Sequence, residues 1–132
     1  MKATRKIILG VICATAGALW LMAWFLATPT FLDAENSPHG VYRLEFYKAS
    51  SFQRLLNPDF KMPFVLRLYR AEPKKLLGES SVVDLWLDGE VTWLLDPPMK
   101  MQKVRVGSSV VFRDIPPECT DVSQIPSCPR GP

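Results

Sequence analysis

The hydrophobic pattern of the chain begins with one long apolar segment. Between residues 7 and 27 the only ionisable group is the thiol of Cys13. A helix rises about 1.5 Å per residue, so about 20 apolar residues cross the hydrocarbon layer of a bilayer. The basic residues of this part of the chain all precede the segment: Lys2, Arg5 and Lys6. The pattern therefore predicts a single-pass anchor over residues 1–27, with a cytoplasmic N-terminus and a periplasmic C-terminal part.

A cleaved signal peptide is the alternative interpretation of this segment. Signal peptides have an apolar stretch of about 7 to 15 residues followed by small residues at the cleavage point. Here the stretch is longer, and its end carries the bulky side chains of Trp20, Trp24 and Phe25. The two tryptophans are typical of the aromatic belt at a membrane interface. The pattern therefore favours an uncleaved anchor.

Beyond the anchor the periodicity changes. Residues 28–40 are rich in polar and turn-forming side chains and are interpreted as a linker. Apolar and polar side chains then alternate over residues 41–47 and 64–70, which is typical of strands with one buried face. Between these strands, Ser50 or Ser51 is a candidate N-cap for a short helix. That helix carries three apolar side chains on one side: Phe52, Leu55 and Leu56.

The clearest local turn signal is Asp88-Gly89, which separates two apolar runs. This dipeptide favours a two-residue type I′ turn, because both central positions of that turn need positive φ. The resulting hairpin places Trp86 and Trp93 on the same face. The favoured interpretation is a hairpin in the core. The alternative is a partly open face on which the two tryptophans dock a protein partner.

A second hairpin is predicted from residues 101–106 and 110–113, joined through Gly107. With the earlier segments this gives about six strands in meander order. The predicted fold is mainly β: a single N-terminal transmembrane helix, then a small antiparallel sheet or meander domain over residues 41–114 with one short helix. About 100 residues follow the anchor, which is enough for one small domain.

The proline-rich tail, residues 115–132, contains Cys119 and Cys128. In an oxidising compartment these cysteines are expected to form a local disulfide. Closing so short a loop contributes about 2 to 3 kcal/mol in the chain-entropy model. A zinc site would need further ligands, and the chain has one histidine, His39, in a turn far away along the sequence. The disulfide is therefore favoured over a metal site.

Charge argues against nucleic acid as a partner. The chain has 16 Lys and Arg against 13 Asp and Glu, so removing Lys2, Arg5 and Lys6 leaves 13 against 13. The basic excess thus lies wholly in the N-terminal segment, and no basic stripe follows it.

Recognisable catalytic sets are missing from the sequence. There is no glycine-rich phosphate loop, no HExxH pair and no calcium-loop spacing. His39 is interpreted as a solvated turn residue, and Asp84 as a buried hydrogen-bonded acid or an exposed strand residue rather than a catalytic base. We therefore expect a protein that is not an enzyme, with no cofactor, metal or small-molecule substrate.

Several short motifs carry a resemblance to a known group of proteins. They are the segment from Ser37 to Tyr47 (SPHGVYRLEFY), RLYR at 67–70, GES at 78–80, VDLW at 83–86 and IPPECT at 115–120. Together they resemble an uncharacterised family of short, membrane-anchored extracytoplasmic β proteins of Gram-negative bacteria. The resemblance covers roughly residues 37–120 and implies no known activity or site.

Two functions are consistent with these observations. Small proteins of this general form are often immunity proteins against secreted toxins, and that analogy of class suggests an immunity or inhibitor protein. The alternative is an accessory subunit of a cell-envelope complex. In both cases we expect a protein of the inner membrane that works in the periplasm by binding another protein, with Trp86 and Trp93 as the candidate contacts.

Overall fold

The computed structural model describes residues 1–96 and 102–119. The elements follow one another in this order: α1 (Lys2–Ala27), β1 (Thr30–Asn36), β2 (Tyr42–Lys48), α2 (Ser51–Leu56), β3 (Pro63–Arg70), β4 (Lys75–Glu79), β5 (Val83–Asp84), β6 (Val91–Leu94), β7 (Lys103–Val106) and β8 (Val110–Arg113). After α1 the described residues are mainly β, with one short helix, which confirms the predicted fold class.

The N-terminal helix α1 is long and apolar enough to cross a membrane, and none of its span is buried against the rest of the protein. Such a helix cannot be stabilised by the core of the β domain. An exposed apolar surface of this length is stable only when something apolar covers it.

The strands form two antiparallel sheets rather than one meander. In sheet 1 the order is β1-β2-β3-β4, and β5 pairs with the beginning of β3. Sheet 2 has the order β6-β7-β8. The core lies between the sheets, where Leu44 and Leu66 of sheet 1 and Val104 and Val106 of sheet 2 are fully buried. Burying a side chain of this size stabilises the fold by about 1.5 to 3 kcal/mol.

Strand β1 corrects the predicted linker over residues 28–40. Residues 30–36 pair with β2, from Thr30 opposite Lys48 to Asn36 opposite Arg43. The register shifts between Phe31 and Asp33, so the pairing is irregular there. Nearly all side chains of this edge strand are exposed, and it therefore lacks the alternation that identifies a strand with one buried face.

Helix α2 confirms the predicted short helix and its cap. Ser50 is the N-cap: its hydroxyl accepts a hydrogen bond from the Gln53 N–H at 3.2 Å, and the Ser50 N–H donates to Gln53 Oε1 at 2.9 Å. This reciprocal pair is a capping box. The helix ends at Asn57, and none of its side chains is buried.

The predicted Asp88-Gly89 hairpin is wrong. Strand β5 pairs with β3 in sheet 1, whereas β6 pairs with β7 in sheet 2. Residues 85–90 therefore cross from one sheet to the other, and neither Asp88 nor Gly89 has a positive φ. Each half of the predicted hairpin finds a longer-range partner that completes a sheet, and this pairing outweighs the local turn preference.

The crossing segment instead packs on the turn between β7 and β8. Gly107 in that turn has φ of +54° and donates its N–H to the Glu90 carbonyl at 2.8 Å. A Cβ atom at Gly107 would lie 2.3 Å from the Asp88 carbonyl oxygen. The β7–β8 hairpin itself was predicted, and its pairing of Val106 with Val110 confirms it.

The tail begins as part of the domain. Ile115 is buried in the core, and Glu118 is 3% exposed. The predicted domain boundary at residue 114 thus separates residues that pack together. Cys128 lies outside the described residues.

The two ends of sheet 1 differ in what surrounds them. At the helix-proximal end, Thr30, Lys48, Phe64 and Val83 are consecutive partners across β1, β2, β3 and β5. Only two residues separate this end from α1. The helix-distal end is formed by the other ends of the strands: Asn36, Tyr42, Arg70 and Lys75.

Candidate functional site

The outer face of sheet 1, which points away from the core, carries a compact polar cluster. Alternation along β2 and β3 brings five side chains to this face: Arg43, Glu45, Tyr47, Arg67 and Tyr69. The register pairs Arg43 with Tyr69 and Glu45 with Arg67. Opposite charges and aromatic rings thus lie next to one another across the strands, which stabilises the sheet.

Glu45 lies at the centre of the outer face and is 3% exposed. Its Oε1 accepts hydrogen bonds from Arg43 Nε and Lys74 Nζ, both at 3.1 Å, and its Oε2 accepts one from the Tyr47 hydroxyl at 2.7 Å. Burial alone would raise the pKa of Glu45, but the hydrogen bonds from Tyr47 and Lys74 outweigh it and hold the pKa below its usual value. Glu45 is therefore a buried carboxylate that stays ionised because it is paired.

Two cations stack on the tyrosine rings of the outer face. The Arg67 guanidinium lies 4.4 Å from the Tyr47 ring centroid, and the Lys74 ammonium lies 4.6 Å from the Tyr69 ring centroid. Arg67 also donates to Glu79. Burial and the hydrogen bond to Glu45 raise the pKa of Tyr47 to about 12. The side chains of this face are thus held in place before any partner binds, which lowers the entropic cost of recognition.

An open groove of about 450 Å³ extends from the outer face to the helix-distal end. Its lining includes the Tyr69 ring and five charged side chains: Arg43, Glu45, Arg70, Glu72 and Lys74. Small-molecule sites are mostly apolar with a few polar groups. This groove is mostly charged, so it suits a polar surface of a larger partner better than an apolar small molecule.

Two distant segments meet beside this groove. Glu118 accepts hydrogen bonds from the Ser37 hydroxyl, from the His39 N–H at 3.1 Å and from the Val41 N–H at 3.2 Å. Ser37 Oγ in turn accepts from the Tyr42 N–H at 2.9 Å. We call these contacts the Ser37–Glu118 clasp. It joins the SPHG and IPPEC motifs into one hydrogen-bonded unit.

The clasp continues into His39, Asp96 and Cys119. His39 Nε2 lies 3.3 Å from Asp96 Oδ2, and the Cys119 N–H donates to Asp96 Oδ1 at 3.0 Å. His39 lies in a turn, as predicted, but the prediction that it is solvated is wrong, because its side chain is 19% exposed and pairs with Asp96. The turn that contains His39 packs against the segment after β6, and no local sequence pattern indicates this long-range contact.

These three residues are also a candidate metal-ligating set. One ligand atom from each lies within 4.8 Å of the other two. Imidazole, carboxylate and thiolate are ligands that zinc accepts, but structural zinc sites use four of them. The sulfur of Cys119 is also the predicted partner of Cys128, and a disulfide sulfur is not a thiolate ligand. The disulfide, which stays a prediction, and a metal site at Cys119 therefore exclude each other.

The two candidate tryptophans lie in different environments. Trp93 on β6 is half-buried against the core, and its Nε1 donates to Glu35 at 3.1 Å. Trp86 is 54% exposed near the helix-proximal end, with the Lys61 ammonium 5.1 Å from its ring centroid. Because the predicted hairpin does not form, the two rings do not share a hairpin face. Trp86 remains a candidate contact, whereas Trp93 packs mainly with the domain.

Asp84 is a hydrogen-bonded strand residue of intermediate burial, which combines features of the two predicted alternatives. Its carboxylate accepts hydrogen bonds from the backbone N–H groups of Met62 at 2.9 Å, Lys61 at 3.1 Å and Trp86 at 3.1 Å. The bond from Met62, with the other two, lowers the pKa of Asp84. Asp84 thus holds the loop before β3 against the segment that follows β5.

Sequence reasoning missed the outer face as a site. The strand pattern identified the polar side of β2, but it did not show that Glu45 is buried or that it pairs with Lys74, which lies beyond the end of β3. The residues SPHG and IPPEC were noticed as motifs, while their mutual contact depends on the tertiary fold. The alternation of tyrosine and arginine along the polar sides of β2 and β3 was the one usable signal.

Comparison of the chain with protein-family models, curated proteins and solved structures gives no match. The resemblance to a family of short extracytoplasmic β proteins therefore stays a prediction.

Proposed function

We propose that this protein is a single-pass inner-membrane protein whose β domain binds another protein in the periplasm. The observation that carries the proposal is the arrangement of two contrasting surfaces. An unburied apolar helix joins one end of the domain, and a preorganised charged groove opens at the other. A domain held in this way presents its groove away from the membrane.

The chemistry of the groove favours a protein as the partner. Tyrosine and arginine are enriched among the residues that carry most of the energy of protein interfaces. Here Tyr69 lies beside Arg43 and Arg70, and the neighbouring cation Lys74 is already ordered by Glu45. The lining carries both signs of charge, which suits a partner with complementary acidic and basic side chains.

An immunity protein against a secreted toxin is the class that we propose. Such a protein must reside in the compartment that the toxin enters and must bind it without needing chemistry of its own. An anchored domain with an ordered groove meets both requirements. The alternative, a subunit of an envelope complex, uses the same groove to hold a permanent partner.

Competition between bacterial strains tests the proposal. A deletion strain grown beside toxin-producing siblings should be killed, and the wild-type gene should rescue it. Arg70→Glu, which reverses a charge in the groove, should abolish rescue. Arg113→Glu, an exposed charge reversal on sheet 2, should rescue fully. Immunoblots must show equal amounts of both variants.

Two outcomes would contradict parts of this account. If the deletion strain competes normally, the protein is not an immunity protein, and the envelope-subunit function takes its place. If Arg70→Glu rescues as well as the wild type, the groove is not the binding surface.

A further inference from the structure

The helix-proximal end gathers most of the exposed large apolar side chains of the β domain. Helix α2 contributes three at helical spacing, with Leu55 76% exposed. The edge strand and two loops contribute the others: Phe31, Leu32, Met62, Trp86 and Leu87. Soluble domains rarely leave so many large apolar side chains uncovered at one end.

The register explains why these side chains lie together. Lys48, the last residue of β2, is paired with Thr30 and with Phe64. Helix α2 follows β2 in the chain, so it begins at the end of the sheet where β1 also begins. The loop before β3 and the segment after β5 leave the sheet at the same end, and the Leu85 N–H donates to the Met62 carbonyl at 3.0 Å. Helix α2 also contacts α1. The apolar end of the domain is thus continuous with the apolar helix.

The distance to the bilayer is short. If residues 7–27 fill the hydrocarbon layer, only Thr28 and Pro29 separate its edge from β1. Extended chain covers at most about 3.6 Å per residue, so Thr30 lies within about 11 Å of that edge. The headgroup layer on each side is itself about 5 to 8 Å thick. The helix-proximal end therefore lies in the headgroup layer or within a few ångströms (about 3 to 6 Å) of it.

The charges at this end suit the same environment. Lys48, Arg54 and Lys61 are exposed on α2 or beside it in the chain. Of the exposed acids at this end only Asp59, in the loop before β3, lies so close to α2 in the chain, whereas Asp33 lies beside Leu32 and Asp88 beside Leu87. Basic side chains beside an apolar helical face are typical of helices that lie in the interface of anionic membranes. Trp86, with Lys61 over its ring, is the kind of residue that is enriched at headgroup level.

We propose that the helix-proximal end docks on the periplasmic leaflet of the membrane that α1 spans. The side chains of Phe52, Leu55, Leu56 and Trp86 enter the interface, and the three nearby cations contact phosphate headgroups. This inference rests on the proposed membrane anchoring. Docking fixes the domain on the bilayer, so that the groove at the helix-distal end faces away from the lipid.

Spin labels on the full chain test the docking. The protein carries Cys13→Ser and one added cysteine, and it is reconstituted in vesicles of phosphatidylethanolamine and phosphatidylglycerol. The test site is Leu55→Cys on α2. The matched control is Leu76→Cys on β4, another exposed leucine but at the helix-distal end. Leu19→Cys in α1 reports on anchoring, and protein without an added cysteine gives the background from Cys119 and Cys128.

We compare how accessible each label is to two collision reagents. Oxygen enters lipid, whereas a nickel chelate stays in water. We expect the Leu55 label to be several-fold less accessible to nickel than the Leu76 label, with a raised oxygen-to-nickel ratio like that of the Leu19 label. A second label at Phe52→Cys should behave like the one at Leu55, which excludes an artefact of one substitution.

Three other results would overturn the docking proposal, and they distinguish its failure from a failure of the membrane anchoring. A shielded Leu19 label with a Leu55 label as accessible as that at Leu76 overturns docking and leaves anchoring intact. A Leu19 label accessible to nickel overturns anchoring and docking together. A Leu55 label shielded in native membranes but accessible in pure lipid shows that a protein covers this end, which also overturns docking on lipid.

Discussion

The two ends of sheet 1 share strands β1, β2 and β3, but their side chains find partners in opposite ways. At the helix-distal end, the polar groups of the clasp and of the outer face find partners within the domain. No buried side-chain nitrogen or oxygen among the described residues lacks a hydrogen bond. At the helix-proximal end, large apolar side chains have no cover within the domain. The first end thus pairs its polar groups within the domain, whereas the second leaves most of the exposed large apolar side chains of the domain uncovered.

The largest expected effect is at the clasp. Glu118→Ala removes the acceptor of hydrogen bonds from the buried Ser37 hydroxyl and the part-buried N–H groups of His39 and Val41, and a buried donor left without a partner costs about 1 to 3 kcal/mol. We expect the free energy of unfolding to fall by about 4 kcal/mol, measured by denaturant titration of the full chain in detergent. Glu79→Ala, which removes an exposed ion pair with Arg67, should cost less than about 1 kcal/mol. Equal losses would contradict the structural role of the clasp.

Two glycines with positive φ, Gly40 at the helix-distal end and Gly107 in the β7–β8 turn of sheet 2, should respond differently to substitution. A Cβ at Gly107 would lie 2.3 Å from the Asp88 carbonyl, whereas none of the surrounding atoms would lie within 4 Å of a Cβ at Gly40. Gly107→Ala combines backbone strain with a clash and should cost about 3 kcal/mol. Gly40→Ala keeps only the strain and should cost about 1 kcal/mol. Similar thermal midpoints for the two variants would show that residues 85–90 do not pack on the β7–β8 turn.

The predicted disulfide concerns the helix-distal end alone. If Cys119 and Cys128 are bridged, reduction should lower the free energy of unfolding by about 2 kcal/mol, since it releases the loop that follows Glu118. Mass spectrometry after alkylation, with and without reductant, should label Cys13 in both samples but Cys119 only in the reduced one. Alkylated Cys119 in the unreduced protein would contradict the bridge and make a metal site with His39 and Asp96 the better interpretation.

The smallest expected effect is a change in how the free energy of unfolding depends on pH. The pKa values of Glu45 and Asp84 are both lower in the folded protein than their usual values. Each carboxylate therefore stabilises the fold above its unfolded pKa, and this contribution is lost as the pH falls through the folded pKa. Glu45→Gln and Asp84→Asn should each flatten the loss of stability below about pH 4.5. An unchanged slope in either variant would mean that the carboxylate is not held ionised by its partners.

The elements that the sequence predicted well are those whose partners lie nearby. Helix α2 is specified by Ser50 and Gln53, which are three residues apart, and the β7–β8 hairpin by its Gly107 turn. Strand β1 was missed because an exposed edge strand has no buried face to produce alternation. The Asp88-Gly89 hairpin was wrong because pairing with β3 and β7 outweighs a local turn preference.

The candidate site was less predictable for the same reason. The hydrogen bond from Lys74 to Glu45 joins residues 29 positions apart, and the clasp requires Glu118 to meet a turn about 80 residues earlier in the chain. Neither contact produces a periodic pattern in the amino-acid sequence. The apolar side of α2 was visible in the sequence, but its position beside α1 follows only from the register of β1 and β2.

The central claim is that α1 anchors the chain in the membrane and that the β domain lies on the periplasmic side of it. The most direct test is a reporter enzyme, active only in the periplasm, fused after Pro132 of the full-length protein. The account predicts an active reporter on a membrane-bound protein that keeps its full-length mass. An inactive reporter with the C-terminus in the cytoplasm, or loss of about 2 to 3 kDa through cleavage after the apolar helix, would contradict it.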